Sequence, residues 1–402
     1  LQDFSNAQPE NTNVDDFDRQ MRTAATYFSG NIGLFDMLFL NSNVRVESSS
    51  TIGPNAESVF VYPSVDLAWQ FSKLDLFVGS PILTFGKLRL AYGEVGVEPP
   101  PYNTQSIYVS PNYSDSYGGS LSTDLFGAGS FTPSQDLGDP NLRPEIKREY
   151  EVGTDIRFFD NKVKIGYSYY YNTTDDVFFN LSLANSSGYD ELFTNAGKIE
   201  NKGMEVDFSY DIIQNDNFNV NINANWSYYR NKVLDLKGVE SIRLGGLSAV
   251  SGRAVEGYPL GVFWGTKFTR SDDGSILLND NGFPSLAPEN GVIGDPHPDW
   301  QGGIGTTVTW KDLNLYFLFE SYQGADIYAG TKAVLLNYGR HIESGTETTA
   351  NMDLFDYNGG LITSGSTFRG SIHDFGAGDV ALTESWYRGI GGYFSGVQEQ
   401  FI

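Results

Sequence analysis

The chain has 402 residues, a formal charge of −24 and no cysteine. That charge repels phosphate backbones and excludes a nucleic-acid binder, while the missing cysteine excludes a disulfide scaffold and suits export through an oxidising compartment. Nothing in it approaches the ~18 consecutive apolar residues of a membrane helix. The mean hydropathy is only −0.30, as expected of a wall that places its apolar residues at alternate positions.

Taken in chain order, the first expected strand lies near 23–34 and ends in a tight turn at Phe35-Asp36. A strand over 87–96 puts Lys87 and Arg89 on one face, and an irregular connection rich in Gly, Pro, Ser, Asn and Asp follows over 95–144. Residues 150–158 alternate with Glu151, Asp155 and Arg157 on the polar face, then turn at Phe159-Asp160-Asn161. Across 162–171 the apolar face is Val163, Ile165, Tyr167, Tyr169 and Tyr171. A second connection is expected over 180–198. Residues 204–212 alternate again, and Asn215-Asp216-Asn217 leads into 218–228. There the even positions are apolar or aromatic and the odd ones are Asn219, Asn221, Asn223, Asn225 and Ser227. The connection 233–298 contains a strand-like piece that reads as a hairpin, 260–278, within a large excursion. The last pair of strands meets at Lys311-Asp312 and runs to about 322, leaving 323–384 as a further long connection.

Side chains on a strand alternate between faces, so each segment has an oily face and a polar one. An unbroken alternation of about 11 residues is roughly twice the usual strand length and suits a tilted bilayer crossing. Burying the inward charges in a dry core would cost several kcal/mol each unless they were paired, whereas a water-filled lumen leaves them wet. The fold class that follows is all-β: an antiparallel transmembrane β-barrel of about ten strands, with short periplasmic turns and long extracellular loops. A soluble β-sandwich is the alternative. Tyr169, Tyr171, Trp226 and Tyr228 are expected outward at the outer interface, where amphipathic rings are favoured. Ten strands with loops of this size suit an arc of a larger wall better than a narrow cylinder. The chain also ends on 398–402 with no returning strand, so it is expected to be cut at both ends, with open edges near 23–34 and 313–322.

Several spaced motifs resemble the SusC/RagA family of TonB-linked outer-membrane proteins. Residues 87–96, KLRLAYGEVG, are similar to the family's K-L-R-x-x-Y-G-x-x-G strand. Asn141-Leu142-Arg143-Pro144-Glu145 followed by 151–155 resembles its N-L-x-x-E segment and next strand. Residues 195–205, NAGKIENKGME, resemble N-x-G-x-I-E-N-K-G-x-E, and 293–299, 324–328 and 384–387 continue the series in family order. The sequence departs from the family at 45–50, RVESSS, where R-x-D-G-S-S is frequent, and at 271–282, whose acids and amides miss Ca²⁺-loop spacing. The resemblance implies an arc of a 22-stranded barrel, with residues 1–402 as barrel segment and the plug domain and final strands outside it.

What the resemblance implies of function is active import of oligosaccharides or peptides across the outer membrane. A SusD-like surface lipoprotein would act as lid, and the TonB complex would energise the barrel through the plug. Lys87, Arg89, Glu200, Lys202 and Glu205 are the candidate plug-facing lumen residues, against a solvated or self-paired charge network. Tyr102, Tyr108, Tyr113, Tyr117, Trp264 and Trp386 are candidate substrate contacts, because sugar rings stack on aromatic faces. The alternative for each is packing of a loop against the barrel rim. His297, His341 and His373 fall in expected loops without metal-ligand spacing, and no nucleophile elbow or phosphate loop is present. No enzyme activity, cofactor or metal is expected. The competing function is a surface adhesin or passive porin that binds through its long loops.

Overall fold

A computed structural model describes residues 18–109, 131–247, 249–389 and 397–402. Its main sheet is a run of ten antiparallel strands in chain order, to which the two-residue strand Asp136–Leu137 adds in parallel beside Glu191 and Leu192. They are β1 (Thr23–Leu34), β2 (Leu38–Ser49), β3 (Phe60–Trp69), β4 (Leu83–Val97) and β5 (Glu145–Phe158). The run continues with β6 (Val163–Ser182), β7 (Glu191–Gln214), β8 (Phe218–Asp235), β9 (Trp300–Trp310) and β10 (Leu313–Gln323). No helix among the described residues is long and apolar enough to cross a membrane, which is silent on strands.

The short links sit where the sequence places them, at one end of the sheet. Phe35, Asp36, Phe159, Asp160, Asn161 and Lys311 all have positive φ, between 52° and 65°. Left-handed residues give a tight link the twist of its flanking strands. At 215–217 the Asn215 side chain accepts hydrogen bonds from the backbone N–H of Asn217 (3.1 Å) and Phe218 (2.8 Å), an Asx turn that starts β8.

Among the described residues, β1 pairs only with β2 and β10 only with β9. The sheet is therefore open, with its two edges at the expected places.

Two expectations need correction. The connection expected over 180–198 is mostly strand: β6 runs to Ser182 and β7 begins at Glu191. There Phe179, Ala196 and Ile199 are buried against Leu236, Ile242 and Ala254, so lipid on one face and water on the other no longer impose the alternation by which a strand is read. Of the piece expected as a hairpin, 260–278, only 269–277 turns back on itself, with Leu277 N–H donating to the Thr269 carbonyl (2.9 Å), while Val262–Gly265 joins a four-stranded sheet with Ser241–Gly246, Ser251–Val255 and Gly291–Gly294.

That small sheet belongs to a folded excursion assembled from 236–299 and the described part of 324–402. Its core gathers Phe268, Phe283, Leu336, Val380, Trp386, Tyr387 and Phe401. The end of the chain is built into it. Phe268 N–H donates to Glu399 Oε2 (2.7 Å), Arg270 pairs with Glu399 (2.7 Å), and Gln398 N–H donates to Thr266 Oγ1 (2.9 Å).

Candidate functional site: the lumen wall

Directly paired residues on neighbouring strands share a face, so the register resolves the wall into two surfaces. Asp155, Gly166, Asp207, Asn225, Gly303 and Glu320 stand side by side from β5 to β10. One residue along each strand, Ile156, Ile165, Phe208, Ala224, Ile304 and Phe319 form the opposite row. The first surface is a lumen lining and the second a lipid band. Hollows of about 310 to 440 Å³ open on the polar surface.

Charges on the lumen face are largely satisfied by one another on the β4–β7 side. Lys87 pairs with Asp155 (2.9 Å), Arg89 with Glu151 (3.6 Å) and Asp155 (3.2 Å), and Lys164 with Asp211 (3.5 Å). Arg89 Nη2 donates to Ser168 Oγ (3.1 Å). Its Nε approaches Asp155 without the alignment of a hydrogen bond, so that contact is coulombic.

Higher on the same face an amide belt crosses four strands. Leu260 N–H donates to Asn231 Oδ1 (2.7 Å), and Asn231 Nδ2 to Asn201 Oδ1 (2.5 Å). Asn201 Nδ2 donates to Asn172 Oδ1 (2.8 Å), and Asn172 Nδ2 to Glu149 Oε2 (3.1 Å). Every donor points the same way and the chain ends on a carboxylate that Lys147 pairs at 2.6 Å, an arrangement in which successive bonds polarise one another. The belt ties the excursion, through Leu260, to the wall.

Beneath it lies the 440 Å³ hollow, lined by Tyr170, Tyr229, Glu151 and Glu205 among others. The tip of the Tyr170 ring lies over Gly203, where a Cβ would collide with that ring and come within 2.8 Å of the Tyr228 carbonyl. Only glycine fits there. Among the described residues Glu205 has no hydrogen-bond or ion-pair partner.

The sequence matches the family described as TonB dependent receptor-like, beta-barrel, over residues 1–330. The chain belongs to the TonB-dependent receptor β-barrel family. It is 29% identical over 308 residues to TonB-dependent receptor P26 of Formosa agariphila, covering 71% of this chain and 30% of that protein. It is 22% identical over 226 residues to TonB-dependent receptor SusC of Bacteroides thetaiotaomicron, covering 54% of this chain and 21% of that protein. A solved structure of the RagAB peptide transporter superposes with a TM-score of 0.65 at 21% identity, over 79% of this chain and 35% of that one. The chain spans about a third of the length of the first curated relatives it matches (30–35%). TonB-dependent receptors are outer-membrane β-barrel proteins, which agrees with the lipid band of this wall.

Within the TonB-dependent barrel, Lys87, Arg89 and Glu205 line the lumen, but Glu200 and Lys202 do not. Lys202 is paired in register with outward Tyr171, and Glu200 accepts a hydrogen bond from the Tyr171 hydroxyl (3.0 Å). Grouping them with Glu205 overlooked the alternation, since even positions of β7 share the face of Met204. Trp386 is 6% exposed and packs against Phe283, Tyr357 and Phe375, so it is core of the excursion. Trp264 lies under the Arg253 guanidinium at 5.1 Å. Tyr102 is exposed, and its hydroxyl accepts a hydrogen bond from Gln20 N–H (3.0 Å). Tyr108 is exposed on a two-residue strand, while Tyr113 and Tyr117 lie outside the described residues. Among the described residues, Tyr102, Tyr108, Trp264 and Trp386 are not brought together into one site.

The signals that resemble the family serve construction. Buried Asn195 accepts from Arg143 N–H (3.0 Å) and donates to the Arg143 (2.8 Å) and Asp176 (2.7 Å) carbonyls, clamping the 141–145 segment onto β7. Asp295 and Asp326 bond reciprocally, Asp295 N–H to Asp326 Oδ2 and Asp326 N–H to Asp295 O, so two motifs close the open end of the β9–β10 pair. In the acidic loop near 271–282, the Asp273 carboxylate is spent on Ser271 and Ser275. The amide belt went unread in the sequence, although Asn172, Asn201 and Asn231 hold lumen-parity positions that could have signalled it.

Proposed function

We propose that the chain is the barrel part of an outer-membrane nutrient importer, one arc of a larger cylinder whose other strands pair with β1 and β10. The observation that carries this is the sidedness of the wall: a continuous apolar band outside and, inside, a broad hydrated lining of charges and amides. Open strand edges support the arc, because each unpaired backbone group facing hydrocarbon costs several kcal/mol. On this reading the plug and the closing strands belong to the rest of the protein, and Lys87, Arg89 and Glu205 face the plug. The cargo is an oligosaccharide or peptide, a SusD-like lipoprotein lids the extracellular mouth, and the TonB complex supplies the energy. The role is transport, not catalysis, in keeping with relatives that are all named as receptors.

The test is uptake of labelled oligosaccharides and peptides by cells making the full-length protein, with and without a working TonB complex. Uptake lost without TonB supports the importer. Uptake that persists without it points to a passive porin, and surface binding without uptake to an adhesin. Protease added to intact cells is expected to cut within the extracellular connections and to spare Asn215-Asp216.

A further inference from the structure

Three rows of lumen-facing residues stack on β6, β7 and β8 at the end of the wall that carries the excursion. The upper row is the amide belt, Asn172, Asn201 and Asn231. Directly below, Tyr170 and Tyr229 are each paired in register with Gly203, so two phenol rings stand on either side of a residue without a side chain. One step lower, Glu205 is flanked by Ser168 and Ser227. Glycine and serine leave the space that larger side chains would take, and the 440 Å³ hollow opens there. The Tyr229 ring lies 6.5 Å from that of His297 in the excursion, which places the hollow where wall and excursion meet.

Charge sets Glu205 apart within it. Glu149 pairs with Lys147 (2.6 Å), while Glu151 is approached by Arg89 (3.6 Å) and accepts from the Ser168 hydroxyl (3.3 Å). Among the described residues Glu205 has neither kind of partner, and the Tyr170 hydroxyl has no hydrogen-bond partner. Lys87 and Arg89 are met by the wall's own Asp155 and Glu151. Glu205 therefore keeps its charge for what enters the lumen, beside two aromatic rings. A single cationic group matches that arrangement. A guanidinium forks onto carboxylate oxygens and stacks on aromatic faces, and an ammonium is drawn to a ring by its quadrupole. Neutral sugar hydroxyls would bond to Glu205 without meeting its charge.

We propose that this hollow receives a basic side chain of an imported peptide, with Glu205 pairing its guanidinium or ammonium group and the Tyr170 and Tyr229 rings flanking its stem. The assignment rests on the importer reading and narrows the cargo to peptides that carry arginine or lysine. On that reading the excursion marks the mouth of the barrel, so cargo reaches this end of the lumen first.

The test is calorimetric titration of the purified full-length protein in detergent with two peptides. One is an alanine pentapeptide with arginine at its centre, and the other carries citrulline there, which keeps the shape and loses the charge. The arginine peptide is expected to bind about tenfold more tightly, the worth of one hydrogen-bonded charge pair. E205Q should abolish that preference, whereas E320Q, which removes a lumen carboxylate three strands away, should keep it. Equal affinities for the two peptides, or a preference that survives E205Q, would overturn the proposal. Equal loss in E320Q would also overturn it, showing the general field of the lumen instead of a site. Failure of the unaltered protein to bind either peptide would do the same, showing a hollow closed to cargo, as when a basic residue of the plug fills it. TonB-dependent uptake of oligosaccharides with no arginine preference would strike this site and leave the importer standing. An arginine preference in binding, with uptake indifferent to TonB, would do the reverse.

Discussion

Ile304 in the wall and Phe283 in the excursion are both apolar side chains among β-strands, yet the first is 51% exposed and the second 0%. In the wall, apolar residues turn away from the sheet's polar lining, and beyond side-by-side contacts such as Tyr92 with Tyr150 and Trp226 with Tyr228, Ile304 and its row-neighbour Phe319 stay exposed. Their stabilisation comes from lipid, and the side that faces the protein's own interior is charged, amide-rich and wet. The excursion follows the ordinary arrangement. Phe283 packs against Tyr357 (5.5 Å), Trp386 (5.5 Å) and Phe375 (6.1 Å), and its polar groups face water. The same residue types therefore stabilise the two regions through opposite solvents, and a substitution should betray which solvent it meets.

The largest effect is expected in the excursion. Replacing Phe283 by Ala removes a fully buried ring from the centre of three aromatic contacts and should cost about 3–5 kcal/mol of local stability. Protease on intact cells should then cut within 324–389 much faster, while heat-modified migration of the barrel on gels stays as before. Loss of both together would show that excursion and wall fold as one unit. In the wall, Ile222→Arg places a charge in the lipid band and should destabilise by about 2–4 kcal/mol near the midplane. Asn223→Arg, one residue away on the lumen face, should cost much less. Equal costs in unfolding from lipid vesicles would remove the distinction between the two faces.

A smaller effect is expected where the two regions join. Asn201→Ala breaks the amide belt at its centre, leaving buried Asn172 without the donor it receives and freeing both Asn231 and the Tyr229 hydroxyl. A cost of about 1–3 kcal/mol follows from leaving such groups unpaired. Faster hydrogen exchange at the Leu260 amide would show that the belt holds the excursion to the wall, and unchanged exchange would show that it does not.

Legibility in the sequence followed the same division. Segments 150–158, 163–171 and 218–228 were readable because lipid on one face and water on the other impose a strict period of two. The turns were readable because tight links need residues such as Asp36, Asn161 and Asn215. Higher up that contrast vanishes: Phe179, Ala196 and Ile199 are buried against Leu236, Ile242 and Ala254 of the excursion, and neither the strand character of 180–182 and 191–198 nor the outward facing of Glu200 was read correctly. Trp386 looked like a surface aromatic because its burial depends on Phe283, about a hundred positions away in sequence. The belt is a set of cross-strand pairs whose register exists only once the sheet has formed.

The smallest effect lies at the excursion's tip and tests its water-facing side. The Asp273 carboxyl is held down to about 2, from an ordinary 3.8, by the Ser271 hydroxyl and by the backbone N–H and hydroxyl of Ser275. Donors aimed at a carboxylate favour its charged form, so the native turn binds a proton less readily than the unfolded chain. The contribution to stability is therefore complete above about 3.8 and declines as pH falls through about 2. Between pH 5 and 8 the 271–275 turn should be indifferent to pH. The Ser275 amide resonance is expected to titrate with a midpoint near 2, and Asp273→Asn, which keeps an acceptor oxygen but loses the charge, should abolish that titration. A midpoint at the ordinary carboxylate value would mean that the three donors are held by water instead of by Asp273, and the turn would then be ordered by Gly274 alone, whose φ of +87° already suits it.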